Sequence, residues 1–247
     1  MDKLLLMTVH HKNDPFIEIS KKYFFPIQVG KKVSDFNLGI NSDDSGENIS
    51  IYNKKFCELT ACYWAWKNYN AEYIGLMHYR RIFSEKNFFS YKIISKFSYY
   101  VKSLIYSYIF KNTGHFYGNT IKIKNMDKIQ EISSSFIKYL NDNLYEYDIY
   151  LPKKILLKYL NMEQHFIISH NTDDWLIFKN LIAKYYPFLI EAFDIVSKSK
   201  EFYAYNMFIM KKNIFDDYMN ILFDIFFKMD KLVDFKNKSS YQKRLFG

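Results

Sequence analysis

Short apolar runs alternate with amphipathic stretches along this chain, and their spacing predicts an α/β order. Residues 3–9 (KLLLMTV) are uninterruptedly apolar apart from Lys3 and Thr8 and end in His10-His11-Lys12, the pattern of a buried strand running into a polar loop. Residues 26–30 (PIQVG) read as a second short strand closed by glycine. From 35 to 50 the sequence DFNLGINSDDSGENIS carries Asn, Asp, Ser and Gly without periodicity, which predicts a loop. Leu59, Cys62, Tyr63 and Trp66 then fall at i, i+3, i+4 and i+7, one face of a helix over 53–68. The next strand, 73–77 (YIGLM), delivers His78-Tyr79-Arg80-Arg81 at its carboxyl end, where open α/β sheets hold their ligand groups. Farther on, helices are predicted over 126–144, 153–159, 175–185, 187–197 and 214–232, with strands at 147–151 and 205–210. The order predicts an α/β fold, a mixed and mostly parallel sheet flanked by helices, in one domain spanning 1–247.

Composition narrows the classes. With 247 residues, 49% apolar and 25% charged, the chain can bury a substantial core, and 7 Gly and 4 Pro exclude collagen-like or disordered material. Two cysteines, Cys57 and Cys62, exclude a disulfide scaffold and cannot make a zinc site alone. They fit a reducing compartment. The expectation is a protein in the cytoplasm or on the inner face of the membrane, with no leader at Met1 and no run long enough to span a bilayer.

The formal charge of +9 comes almost entirely from lysine, because Arg80, Arg81 and Arg244 are the sole arginines. Readers of bases and phosphates are usually Arg-rich, so nucleic acid is not the expected partner. Residues 84–124 hold seven lysines against Glu85 and many Phe and Tyr, read as a helical insertion. It either packs on its own domain or lies on an anionic membrane.

Two adjacent guanidiniums at a strand end are the strongest chemical signal. They can neutralise a diphosphate without a metal, or they can brace the acidic residues Asp43, Asp44 and Glu47. If the strand continued, Arg80 and Arg81 would point to opposite faces. His10 and His11 could meet the same crevice, and Glu58 and Thr60 lie on the preceding helix. Acid–base candidates include Asp148, inside an apolar strand where burial would raise its pKa, and His170 and Asp174. Phosphate-loop, dinucleotide and α/β-hydrolase signatures are absent, as is any Asp-x-Asp metal pair.

The segments Tyr23–Gly30, Gly46–Ser50, CELTA (57–61), YWAWKN (63–68), YIGLMHYRR (73–81) and NMFIM (206–210), in this order, resemble a bacterial family known as a domain of unknown function. Its members occur in capsule, exopolysaccharide and O-antigen synthesis and include galactofuranosyltransferases. The resemblance implies a GT-A-like domain that transfers a sugar, galactose or galactofuranose in type, from a nucleotide-diphosphate donor, UDP-linked by preference, to a glycan or lipid-linked acceptor. It places His10, His11, Lys12, Glu58, Thr60, Lys67, Asn68, His78, Tyr79, Arg80 and Arg81 around the donor and Asn206 near sugar or acceptor. Asp148, His170 or Asp174 would be the base. No metal ligands are assigned; Arg80 and Arg81 would replace a metal, with Mn²⁺ or Mg²⁺ left open. The alternative is a non-catalytic relative that binds glycan or membrane.

Overall fold

The computed structural model describes residues 2–79, 81–84, 126–152 and 154–244. Its main sheet has six strands, β1 (Asp2–His10), β2 (Phe25–Gln28), β3 (Asn41–Ser42), β4 (Ala71–His78), β5 (Ile149–Tyr150) and β8 (Phe208–Lys211), in the order β3-β2-β1-β4-β8-β5. Strands β1 to β4 run parallel, while β8 is antiparallel to both β4 and β5. A separate pair, β6 (Ile155–Leu156) with β7 (Glu201–Phe202), is antiparallel. The expected mixed, mostly parallel α/β sheet is therefore present.

Strand β1 is central and buried from Leu5 to His10 without alternation, because helices cover both faces of the sheet. On one face, α3 (Leu59–Asn68) and α8 (Lys212–Leu232) bring Leu59, Cys62, Phe215, Met219 and Phe223 onto Leu5, Met7 and Ile74. On the other, Phe136 and Leu140 of α4 (Met126–Asn143) meet Leu6, Tyr73, Met77 and Ile209. Helix α1 (Phe16–Tyr23) joins β1 to β2 and packs Phe16 and Ile19 against Ile129. Gly75 lets β4 sit tightly between its neighbours: a Cβ there would stand 2.7 Å from Leu6 Cδ1 and 2.8 Å from Ile209 Cγ1.

Several expected elements differ. The helix over 53–68 is broken at Cys57, whose φ of 48° separates α2 (Asn53–Phe56) from α3. Residues 155–156, expected in a helix, are instead strand β6 paired with β7. Helices α1 and α5 (Met162–Ser169) were not anticipated; α5 is fixed by a capping box in which Asn161 and Gln164 bond reciprocally. Helix α6 (Thr172–Tyr185) starts three residues before expectation, where the Asn171 side chain accepts from the Asp173 N–H. Helix α7 (Ile190–Lys198) follows a 3-10 turn at Pro187–Leu189. The insertion expected at 84–124 lies outside the described residues, Ser84 apart. Among the described residues no helix is long and apolar enough to cross a membrane.

The topology selects one edge of the sheet. From β1 the chain moves outward to β2 and β3, then returns through α2 and α3 to β4 on the opposite side of β1. The order thus reverses between β1 and β4, and in open α/β sheets the crevice that takes a ligand lies beyond the carboxyl ends of the strands at such a switch point.

Candidate active site

His10 ends β1 fully buried. Its Nδ1 lies 2.9 Å from Asp14 Oδ2 and its Nε2 3.2 Å from Thr8 Oγ1, while Asp14 Oδ1 accepts the Phe16 N–H. His10 therefore anchors the loop that leaves the strand. That loop exposes His11 and Lys12 beside Tyr79: the His11 ring meets the Tyr79 ring edge-on at 5.0 Å, and Lys12 Nζ stands 5.6 Å above it. The Tyr79 N–H donates to the Val9 carbonyl at 3.2 Å, which ties the ends of β1 and β4 together.

Strand β4 stops at His78. Rather than continuing, the chain turns back so that His78 and Arg81 exchange two backbone hydrogen bonds of 3.1 Å. The condition under which Arg80 and Arg81 would point to opposite faces, a strand that continues through them, is therefore not met. Arg80 lies outside the described residues. The Arg81 guanidinium sits over the Tyr205 ring, 3.9 Å from its centre, a cation–π contact. Arg81 Nε and Tyr205 Oη are both buried, with no hydrogen-bond partner among the described residues. Buried polar atoms without a partner are uncommon in folded proteins.

Glu58 arrives from the break between α2 and α3. Asn53 Nδ2 donates to the Cys57 carbonyl and to Thr60 Oγ1, and the Thr60 hydroxyl donates to the same carbonyl at 3.0 Å. Thr60 is thus committed to the bend. Glu58 Oε1 accepts from Asn206 Nδ2 at 2.9 Å and lies 3.5 Å from His78 Nε2. That same Nε2 is 2.5 Å from the Tyr205 carbonyl oxygen. A carbonyl can only accept, so Nε2 carries a proton. Cys57, Tyr205 and Asn206 are the three non-glycine residues with positive φ among those described, at 48°, 75° and 51°. All three adjoin Glu58 or His78, and strained backbone concentrates at functional sites. Burial, and then the neighbouring Glu58 charge, pushes the Cys57 thiol up to about 12, so it stays neutral and is a poor nucleophile.

Lys67, Asn68 and Asp148 stand away from this crevice. Lys67 Nζ lies 3.6 Å over the Trp66 ring and 3.8 Å from Glu47, and Asn68 bonds the Glu47 backbone at 3.0 and 2.8 Å. Both stand at the far end of α3, about 14 Å from Glu58 along the helix. Asp148 is exposed and pairs with Lys211 Nζ at 2.5 Å. The expectation that it is buried inside a strand is corrected, because β5 starts only at Ile149. Lys211 is in register with Tyr73, five residues before His78, roughly 16 Å from the crevice along β4. A shallow depression lined by Glu72, Tyr73, Tyr145 and Lys211 occupies that opposite edge.

Asp174 is buried in an ion pair with Lys238, and the His170 ring is layered between Phe166 at 4.7 Å and Tyr241 at 5.4 Å. Burial lowers the His170 pKa. These residues hold the segment after α8. The acidic residues offered as braces for the arginines also have partners. Asp43 accepts from the Gly30 and Lys31 N–H groups and the Ser50 hydroxyl, and Glu47 accepts from the Tyr63 hydroxyl. Among the described residues no group of three His, Cys, Asp or Glu is placed to hold a metal ion. Asp14 and Tyr205 escaped sequence reasoning. Asp14 four residues after His10 was a readable signal, whereas Tyr205 contributes a ring face and a carbonyl that no local pattern announces.

The carboxyl ends of β1 and β4, at the topological switch point of a mostly parallel sheet, bring together Lys12, Tyr79, the Arg81 guanidinium and the Glu58 carboxylate, the place where open α/β sheets hold their ligands. The sequence matches the family described as "Domain of unknown function (DUF4422)" over residues 5–247, and the chain belongs to that family. Its structure is similar to that of a protein titled WbbM bifunctional glycosyltransferase, in its apo form, with a TM-score of 0.73 and 29% identity. The match covers 100% of this chain and 40% of that one, so the chain spans well under half the length of its structural relative. No curated protein matches the sequence.

Proposed function

We propose that this protein is a nucleotide-sugar-dependent glycosyltransferase, with the donor diphosphate held at the carboxyl ends of β1 and β4. The observation that carries the reading is the Arg81 guanidinium stacked on Tyr205, with its buried Nε and the Tyr205 hydroxyl both without a hydrogen-bond partner among the described residues. Planar guanidinium donors match phosphate oxygens, and a preorganised cation stabilises the charge that develops as the nucleotide departs. Lys12 adds positive charge on the β1 side, beside His11 and Tyr79, and Arg80 is proposed as the second guanidinium. In this reading the arginines do the electrostatic work that a metal would otherwise do. The likeness to WbbM supports glycosyl transfer as the reaction class.

The donor is proposed to be a UDP-sugar of the galactose type and the acceptor a growing glycan of a capsule, exopolysaccharide or O-antigen. A lipid-linked acceptor is favoured by the lysines and aromatics of residues 84–124, a composition suited to an anionic bilayer surface. Release of UDP from UDP-hexoses by the purified protein tests the reading. Release by the wild type that Arg81→Ala abolishes, with the fold intact, is expected. Equal release by both would remove Arg81 from the site.

A further inference from the structure

Resting on the transferase reading above, we infer that Glu58 is the general base that takes the proton from the acceptor hydroxyl, aimed by Asn206 and His78. A transfer reaction needs a group that accepts a proton while the new glycosidic bond forms. Around the crevice most polar groups are committed as donors. His78 directs its Nε2–H at the Tyr205 carbonyl beside Glu58, which leaves only its other ring nitrogen as an acceptor, Asn206 spends its amide on Glu58, and Arg81 is a cation. His10 is sealed from solvent, and Asp14 and Asp43 are taken up by His10 and by backbone N–H groups. The Glu58 carboxylate is only partly covered, its side chain 16% exposed, and its hydrogen bond and ion pair with described residues both fall on Oε1.

A donor-diphosphate role for Glu58 sits badly with its charge, since a carboxylate against phosphate oxygens is repulsive. A neutral hydroxyl is the natural partner. In the proposed step, the acceptor O–H gives its proton to a Glu58 oxygen. The acceptor oxygen forms a bond to the anomeric carbon, and the bond from that carbon to the diphosphate oxygen breaks. Its electron pair leaves with the nucleotide diphosphate, beside Arg81. The proton passes from Glu58 to solvent before the next turnover. The left-handed backbone of Tyr205 and Asn206 has a use in this arrangement: it turns the Tyr205 carbonyl to His78 and the Asn206 amide to Glu58 from adjacent positions.

The test is Glu58→Gln, which keeps an acceptor for the Asn206 amide but cannot take up a proton. UDP affinity is read by calorimetry. UDP release from UDP-galactose, UDP-glucose and UDP-N-acetylglucosamine is followed with water and with p-nitrophenyl hexosides as acceptors. The expected result is a 10²- to 10⁴-fold fall in kcat with UDP affinity unchanged within twofold, and loss of the acidic limb of the pH–rate profile. Asn206→Gly, which retains the left-handed backbone and removes only the aiming amide, should lower kcat about tenfold at constant UDP affinity, and it serves if Glu58→Gln does not fold. Glu58→Gln turning over within tenfold of wild type would overturn the assignment and leave the transferase reading standing. So would a parallel loss of UDP binding, which would make Glu58 a donor contact. A wild-type protein that neither binds UDP nor releases it from any of these donors would overturn both.

Discussion

Lys238→Met isolates what fastens the segment after α8 to the rest of the fold. Lys238 and Asp174 are 64 residues apart in sequence, and their side chains are 7% and 3% exposed. An exposed ion pair contributes about 0–1 kcal/mol. Truncating one partner of a buried pair costs about 3–5 kcal/mol, because the remaining charge is left without compensation. Burial therefore decides for the larger figure. The Tyr241–His170 stack and the Gln242 amide donating to the His170 carbonyl hold the same segment in place, so water cannot readily reach Asp174. For a chain of this size the loss corresponds to a Tm lower by roughly 6–20 °C. Urea unfolding followed by tryptophan fluorescence reads it directly, since Trp175 packs beside Phe166 in the same layer. Adding Asp174→Leu should return most of the loss, because the stranded charge disappears with it. A single-variant cost below 1 kcal/mol, or a double variant worse than the single, would refute the reasoning.

Two further perturbations follow from the same packing. Gly75→Ala should cost about 1–3 kcal/mol in urea unfolding, since the new methyl meets Leu6 and Ile209 side chains and the Phe208 backbone oxygen at 3.0 Å or less. His170, whose pKa burial holds below its ordinary value, makes stability fall as the pH drops below about 6.5, where the unfolded chain takes up a proton first. Above that pH both states are neutral there and nothing is lost. His170→Phe should flatten this part of the stability profile between pH 7 and 5 while leaving the stack on Tyr241 intact.

The central strands were legible because β1 and β4 are buried on both faces, so their apolar runs carry no competing helical period. The helix over 53–68 was legible in extent and not in its break. The break depends on Cys57 adopting a left-handed backbone that a cysteine does not advertise, stabilised by Asn53 and Thr60. Strand β6 was misread because two-residue strands are defined by a distant partner, here β7, rather than by any local pattern. At the site, Glu58, His78 and Asn206 come from separate blocks, and the Glu58–Asn206 bond closes over 148 residues of sequence. Lys67 and Asn68 share a sequence block with Glu58, but ten helical residues carry them to the opposite end of α3. Tyr205 enters the site through a ring face that carries Arg81, a contact no local sequence pattern announces.

Calorimetric titration of the protein with UDP in the presence of EDTA, for wild type and Arg81→Ala, tests the central claim most directly. Wild type is expected to bind without a metal, and the variant, folded to the same Tm within a few degrees, to lose at least tenfold in affinity. Binding that appears only when Mn²⁺ or Mg²⁺ is supplied, or that is the same in both proteins, would contradict an arginine-based diphosphate site at the end of β4.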